Sequence, residues 1–170
     1  MATLVTLGLS KILGKAGEPT AGDFAEEGYT PFGLTYEDTC KMSQDDPETT
    51  EFYAEEEDDP VEITEKQGKI TFAFSIMNPD ITTLTRLFGG TVASDVYAYP
   101  DTVNTVEESV IIKPRKGLMF QVPRMKLVSK INGDFSKKGL LLIEVTGTVL
   151  KPQTTGLKKM YVKKIAAASN

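Results

Sequence analysis

The sequence predicts a mainly β domain with one short flanking α-helix, at about residues 79–88. Two patterns lead to this prediction. Apolar and polar side chains alternate along residues 69–77 and through most of the chain after residue 116, which is typical of half-buried strands. One stretch between these regions has instead the three- and four-residue apolar spacing of an amphipathic helix.

The predicted helix has signals at both of its ends. Asn78 is a favourable N-cap, Pro79 suits the first helical position, and Asp80 favours the positive end of the helix dipole. Gly89 and Gly90 predict the end of the helix, because glycine readily forms helix C-caps. The side chains that would face the core are Ile81, Leu84, Leu87 and Phe88.

The chain after residue 116 is predicted to be almost entirely β. Candidate strands cover residues 118–122, 124–131, 140–150 and 157–165, with alternating or β-branched apolar residues in each. Gly147 lies inside the third of these strands and predicts either a bulge or a close approach of another group to the backbone.

A hairpin is predicted in the N-terminal half of the chain. Residues 50–55 and 61–65 are β-prone and flank a turn in the acidic run at residues 55–59. The hairpin would therefore carry an acidic tip. Residues 43–48 are expected to form a polar loop, and residues 3–11 a strand or an extended arm.

The expected organisation is one domain with extensions at both ends. Residues 1–33 are predicted to be an N-terminal arm and loop, residues 34–165 a single β domain, and residues 166–170 a flexible tail. A chain of this length most simply forms one domain and is long enough to bury a core.

Charge is sorted along the chain. Residues 1–66 contain 17 acidic and 4 basic residues, whereas residues 113–170 contain 13 basic and 2 acidic residues. The net charge of −5 hides this division. A subunit that meets copies of itself head to tail has a use for such a division, because one end can attract the other.

Several function classes are excluded or disfavoured by composition. The chain has no histidine, so catalytic triads and zinc sites that depend on histidine are excluded. Its single cysteine, Cys40, has no partner for an internal disulfide. The acidic run at residues 55–59 lacks the spaced ligands and the glycine of a calcium loop. We therefore expect no enzyme activity, no metal and no cofactor.

Membrane insertion and secretion are not expected either. The longest apolar stretch, at residues 140–150, is much shorter than the roughly 20 residues that span a bilayer. The N-terminus lacks the basic region of a secretory signal.

A resemblance to a known family rests mainly on residues 68–90, with the sequence GKITFAFSIMNPDITTLTRLFGG. The approach to this unit at residues 49–55 and the ending at residues 133–150 also match. Over residues 34–150 the chain resembles the major tail tube proteins of long-tailed bacteriophages. No matching pattern is found at residues 15–33.

The resemblance implies a tail tube fold of the β-sandwich or barrel type with one flanking helix. It also implies a structural function, in which six subunits form a ring and the rings stack into a tube that conducts DNA to the host. The implied partners are other copies of this chain, other tail proteins and DNA, which passes through an electronegative lumen without specific binding. The implied location is the virion tail, after synthesis in the bacterial cytoplasm.

The candidate assembly residues form two groups of opposite charge. We hypothesise that an acidic group lies at ring-stacking or lumen-rim loops and that a basic group in the last strands complements it. The acidic group is Asp45, Asp46, Glu48, Glu55, Glu56, Glu57, Asp58 and Asp59, and the basic group is Lys151, Lys158, Lys159, Lys163 and Lys164. The two groups could instead neutralise each other within one subunit, since order in the sequence is not order in space.

Two other function classes remain open from the sequence. A β-sandwich ligand-binding module of the adhesin or carbohydrate-binding type would need an aromatic platform, for which Tyr97 and Tyr99 are the available pair. A carboxylate enzyme would have to use acids from residues 45–59, where nothing indicates the unlike environments that paired catalytic carboxylates need. The basic C-terminal part shows no recognisable nucleic-acid-binding motif.

Overall fold

The structure is a computed structural model that describes residues 4–22, 25–102 and 104–165. The protein is mainly β with a single short helix among these residues, as the sequence predicts. The elements are β1 (Lys11–Ala16), β2 (Thr30–Pro31), β3 (Lys41–Gln44), β4 (Glu48–Tyr53), β5 (Pro60–Lys66), β6 (Ile70–Ile76), α1 (Ile81–Phe88), β7 (Thr91–Ala93), β8 (Val96–Ala98), β9 (Val106–Lys113), β10 (Leu118–Gly133), β11 (Leu141–Val149) and β12 (Tyr161–Lys164).

The largest sheet is antiparallel and has the strand order β2-β1-β9-β10-β11-β6-β3. Its longest strand, β10, pairs additionally with β12 through residues 118–121. The hairpins β4–β5 and β7–β8 are two-stranded sheets outside it.

One stretch of chain joins the two edges of this sheet. β2 pairs with β1, and the chain then crosses to β6 before β3 begins. The N–H of Tyr36 donates to the carbonyl of Ser75 at 2.8 Å, and the N–H of Met77 donates to the carbonyl of Leu34 at 2.9 Å. The sheet therefore closes on itself into a barrel, with residues 30–44 as the closing segment.

The core fills the inside of this barrel. Phe32 on the closing segment contacts Phe74 on β6, with ring centroids 5.6 Å apart. A smaller apolar cluster lies on the outer face of β1, β9 and β10, where Leu13, Ile111 and Met119 are covered by Tyr29 and other residues. The main core contains Ile12, Phe32, Ile70, Phe72, Phe74, Ile76, Leu87, Phe88, Val110, Ile112, Val122, Met125, Leu127, Ile143 and Val145.

Strand β10 corrects the prediction of two separate strands after residue 116. It runs without interruption through Pro123, and the pairing with β9 shifts register between Val122 and Met125. A proline removes one ladder donor, and a β-bulge accommodates such a residue without ending the strand. The register shift keeps both Val122 and Met125 in the main core, although they are three positions apart in the strand.

Strand β11 matches its prediction, and Gly147 marks a close approach. A Cβ atom at this glycine would lie 2.2 Å from the sulfur of Met125. The last strand is shorter than predicted, because residues 157–160 are irregular and only Tyr161–Lys164 pairs with β10.

Helix α1 is confirmed, but one of its predicted caps is wrong. Asp80 is the N-cap, and its side chain accepts a hydrogen bond from the N–H of Thr83 at 2.8 Å. The side chain of Asn78 instead accepts from the N–H of Leu34 at 2.6 Å, so this residue fixes the closing segment. Gly89 is the C-cap with a positive φ, as predicted.

A buried ion pair attaches the helix to the barrel. The guanidinium of Arg86 donates two hydrogen bonds to the carboxylate of Glu108 on β9, both at 2.9 Å. It also lies over the ring of Phe32, 3.9 Å from the centroid, and donates to the carbonyl groups of Thr30 and Pro31. One side chain thus connects the helix, a central strand and the closing segment.

The N-terminal predictions need correction. The predicted arm and loop at residues 1–33 contains β1, which pairs with β9 over its whole length, and the core residue Phe32. The predicted polar loop at residues 43–48 contains the end of β3 and the start of β4. β1 buries Ile12 and Leu13 on opposite faces, so it lacks the alternation that marks a half-buried strand. The predicted flexible tail at residues 166–170 lies outside the described residues.

Candidate assembly surfaces

Strands β3, β6, β11 and the second half of β10 form a four-stranded region with a free edge on each side. β9 pairs with β10 only as far as Leu127, so residues 128–133 of β10 have no strand partner on that side within the described chain. At the other side, β3 pairs with β6 through one edge, and no described strand pairs with its other edge. Free edges of this kind offer rows of backbone donors and acceptors to another chain.

The two faces of this four-stranded region differ in chemistry. One face contributes to the core, and the other is open and mostly polar. On the open face Lys130 forms an ion pair with Glu144 at 2.9 Å, and together with Asn132 it lowers the pKa of that carboxyl. The remaining residues of the open face, assigned by strand register, are Lys41, Ser43, Thr71, Ala73, Ser75, Lys126, Val128, Leu142, Thr146 and Thr148. Five serine and threonine hydroxyls lie on this face, of which that of Ser75 is buried, and its three lysines outnumber its one carboxylate.

The hairpin β4–β5, here called the projecting hairpin, confirms the predicted acidic hairpin. All residues of β4 and all of β5 except Pro60 are exposed. Tyr53, Val61 and Ile63 lie on one face and Phe52 on the other, each about half exposed. The five acids at residues 55–59 form its tip. A two-stranded hairpin with both faces in water is marginally stable alone, so these apolar side chains favour a covering partner.

The base of the projecting hairpin brings predicted acids and predicted lysines together in one subunit. Asp45, Asp46 and Glu48 line a cleft of about 600 Å³ together with Lys151 and Lys159. At this place, charges from the two halves of the sequence lie side by side.

The other predicted residues lie apart from this cleft. Lys158 is in the irregular segment before β12, and Lys163 and Lys164 are in β12. The acids at residues 55–59 form no ion pair with any described residue. The acidic tip is therefore the part of the predicted acidic group that has no counter-charge of its own.

A second exposed apolar surface lies at the turn between β10 and β11. Phe135 is 94% exposed, and Ile131, Leu140 and Leu141 around it are 39–49% exposed. Two exposed lysines, Lys137 and Lys138, lie in the same turn. We call these six residues the distal patch. Most of these residues lie within residues 133–150, which carry part of the family resemblance, but no exposed patch is predicted there, although a phenylalanine in an otherwise polar turn is a signal for one.

The projecting hairpin and the distal patch lie at opposite ends of the sheet. β6 begins at Ile70, just after the hairpin, and ends at Ile76, which lies opposite Ile143. Ile143 in turn lies opposite Ile131, next to the distal turn. At about 3.3 Å per residue, β6 alone separates the two ends by about 20 Å.

The tyrosine pair does not form a flat platform. The rings of Tyr97 and Tyr99 are 6.4 Å apart and nearly perpendicular, at 89°. The hydroxyl of Tyr97 donates to the carbonyl of Gly89 at 2.6 Å, and Tyr99 packs on Phe88. Tyr97 thus supports the end of the helix, where a Cβ on Gly90 would lie 2.3 Å from a carbonyl oxygen.

The described residues contain no group of three or more acidic, cysteine or histidine side chains that could hold a metal ion. No helix in the described part of the chain has the length and hydropathy needed to cross a bilayer.

In the comparison with known proteins, no family model matches the sequence. No curated protein matches it significantly.

Proposed function

We propose that this chain is the structural subunit of a phage tail tube, which forms hexameric rings that stack into a conduit for DNA and has no catalytic role. Its partners would be other copies of itself and other tail proteins, and its location the virion tail. The observation that carries the proposal is the pair of free edges on opposite sides of the four-stranded region. The sequence resemblance supplies the identity of the tube and the sixfold ring.

The free edges suit ring closure because the region has an even number of strands. β10, β11, β6 and β3 alternate in direction, so β3 of one subunit would be antiparallel to β10 of the next. The new pairing continues the existing pattern around the ring. Such a contact joins two different surfaces of the same subunit, and a contact of this type forms a closed ring when its rotation closes.

The open polar face would then line the channel. Rows of threonine and serine hydroxyls give DNA exchangeable hydrogen-bonding partners, and a phosphate backbone meets only a few charges there. The resemblance implies an electronegative lumen, whereas this face carries Lys41, Lys126 and Lys130 against Glu144. In this proposal the channel wall would therefore be mildly positive, with three lysines against one carboxylate in each subunit.

The first experiment is negative-stain microscopy of the purified protein at increasing concentration and over a range of salt. The proposal expects rings and tubes. Monomers that persist at high concentration under all salt conditions would contradict it.

A variant of β3 tests the edge contact. The N–H of Asp45 donates to the carbonyl of Lys69 on β6, and N–H direction alternates along a strand, so the N–H of Met42 points to the free edge. Met42→Pro removes this donor and should abolish rings while the subunit stays folded by circular dichroism. Met42→Thr removes the same apolar side chain but keeps the N–H, and it should still form rings.

A further inference from the structure

We propose that the distal patch of one subunit is the docking site for the projecting hairpin of a second copy. This inference rests on the proposed function for its role, which is the contact between successive rings. The contact itself requires only two copies of this chain.

The projecting hairpin defines what its partner must offer. Its tip carries five adjacent carboxylates with no ion-pair partner among the described residues, so the partner should be basic. Its sides expose Phe52, Tyr53, Val61 and Ile63, so the partner should also be apolar. A surface with only one of these properties would leave either the charges or the apolar side chains uncovered.

The distal patch offers both properties within one turn. Phe135 is almost fully exposed and is surrounded by aliphatic side chains. Lys137 and Lys138 supply positive charge that no described carboxylate neutralises through an ion pair. The acidic groups nearby are Asp134, which accepts a hydrogen bond from Ser136, and Glu144, which is paired with Lys130.

The positions of the two surfaces suit a contact that repeats. They lie at opposite ends of the strands, so one subunit can give its hairpin to the next and receive a hairpin from the one before. A contact between unlike surfaces at opposite ends produces a polar filament. The hairpin's own neighbours, Lys151 and Lys159, are at the same end as the hairpin and cannot serve as the opposite face.

Disulfide trapping tests the contact directly. In a Cys40→Ser background, Asp58→Cys places a thiol at the hairpin tip and Lys137→Cys places one in the distal patch. Under oxidising conditions, the chain with both thiols should give a ladder of covalent oligomers on a non-reducing gel. Asp58→Cys combined with Thr82→Cys, an exposed position on α1, is the control and should not extend beyond dimers.

The outcomes separate this inference from the proposed function. Tubes without a ladder overturn the docking site and leave the tube function standing. A ladder without tubes supports the docking site and counts against the tube. The absence of both contradicts both proposals.

Charge exchange gives a second, independent measurement. Lys137→Glu with Lys138→Glu should abolish tubes while rings remain. Glu55→Lys, Glu56→Lys and Glu57→Lys, combined with Asp58→Asn and Asp59→Asn, change the tip from five negative charges to three positive ones and should do the same. A chain that carries both sets of substitutions should regain tubes, because the attraction is restored with its sign exchanged. Tubes of normal length from the lysine-reversed chain, or no recovery in the chain with both sets, would overturn the proposal.

Discussion

Removal of the Arg86 side chain should destabilise the fold more than any surface substitution. Arg86→Met keeps a flexible apolar side chain of similar length but leaves the Glu108 carboxylate, which is 6% exposed, without its two hydrogen bonds. Breaking a buried ion pair by removing one partner typically costs about 3–5 kcal/mol. The lost contact with the Phe32 ring, at 3.9 Å, acts in the same direction.

This magnitude is large relative to the whole fold. Domains unfold with free energies of about 5–15 kcal/mol, and for a chain of this size 1 kcal/mol corresponds to about 2–4 °C in Tm. We therefore expect the Tm of Arg86→Met to fall by roughly 6–20 °C. The assay is thermal and urea unfolding followed by circular dichroism, at a dilution where the wild-type protein is monomeric.

A matched double variant separates the charge from the packing. Arg86→Met with Glu108→Gln buries a neutral amide in place of the carboxylate, and an unsatisfied neutral group costs only about 1–3 kcal/mol. The double variant should therefore be more stable than Arg86→Met alone. A loss below about 1 kcal/mol for Arg86→Met, or a double variant less stable than the single one, would refute the reasoning.

Three further outcomes are expected from local contacts. Gly147→Ala places a methyl group against the sulfur of Met125 and should lower the free energy of unfolding by about 1–3 kcal/mol, measured by urea titration. Asp80→Ala removes the helix N-cap and should lower the free energy of unfolding by about 1 kcal/mol, also measured by urea titration. An effect within error would show that the helix is held by tertiary contacts alone. Two lysine ammonium groups that bind Glu26 lower its pKa, so its contribution to stability is present above the ordinary value of 4.5 and is lost as the pH falls through the lowered pKa. Glu26→Gln should therefore be less stable than wild type at pH 7 and equally stable in strong acid, and the same difference at both pH values would contradict this.

The elements that the sequence predicts well are those with one solvent-exposed face and one buried face. β6 alternates strictly, and α1 is bounded by a strong cap and two glycines, so both are recognisable without the rest of the chain. The projecting hairpin is recognisable for a related reason, since its acidic turn cannot lie inside a core.

Strands that are buried on both faces lack this alternation of apolar and polar residues and are therefore missed. β9 was not predicted at all, because Val110, Ile111 and Ile112 are all buried, two toward the main core and one toward the outer cluster. β3 was missed for the opposite reason, since all four of its residues are exposed. The free edge of β10 could not be predicted either. It begins where the pairing of β9 with β10 ends, at Leu127, and the residue type at that position does not mark the end of a strand pairing.

The pairing of β1 with β9 has a consequence for how the chain folds during synthesis. Lys11 lies opposite Lys113, so the first strand must wait until about a hundred further residues have been made before it finds its partner. Until then, β1 has no β9 to pair with, so it cannot position the closing segment, and Ile12 and Leu13 remain in water. The edge of β10 that we propose for ring closure also comes into being only after β9 and β11 are in place. Because the β10 edge is completed last, the chain is protected from forming this contact with a neighbour before it is folded. Folding itself should be slow for a domain of this size.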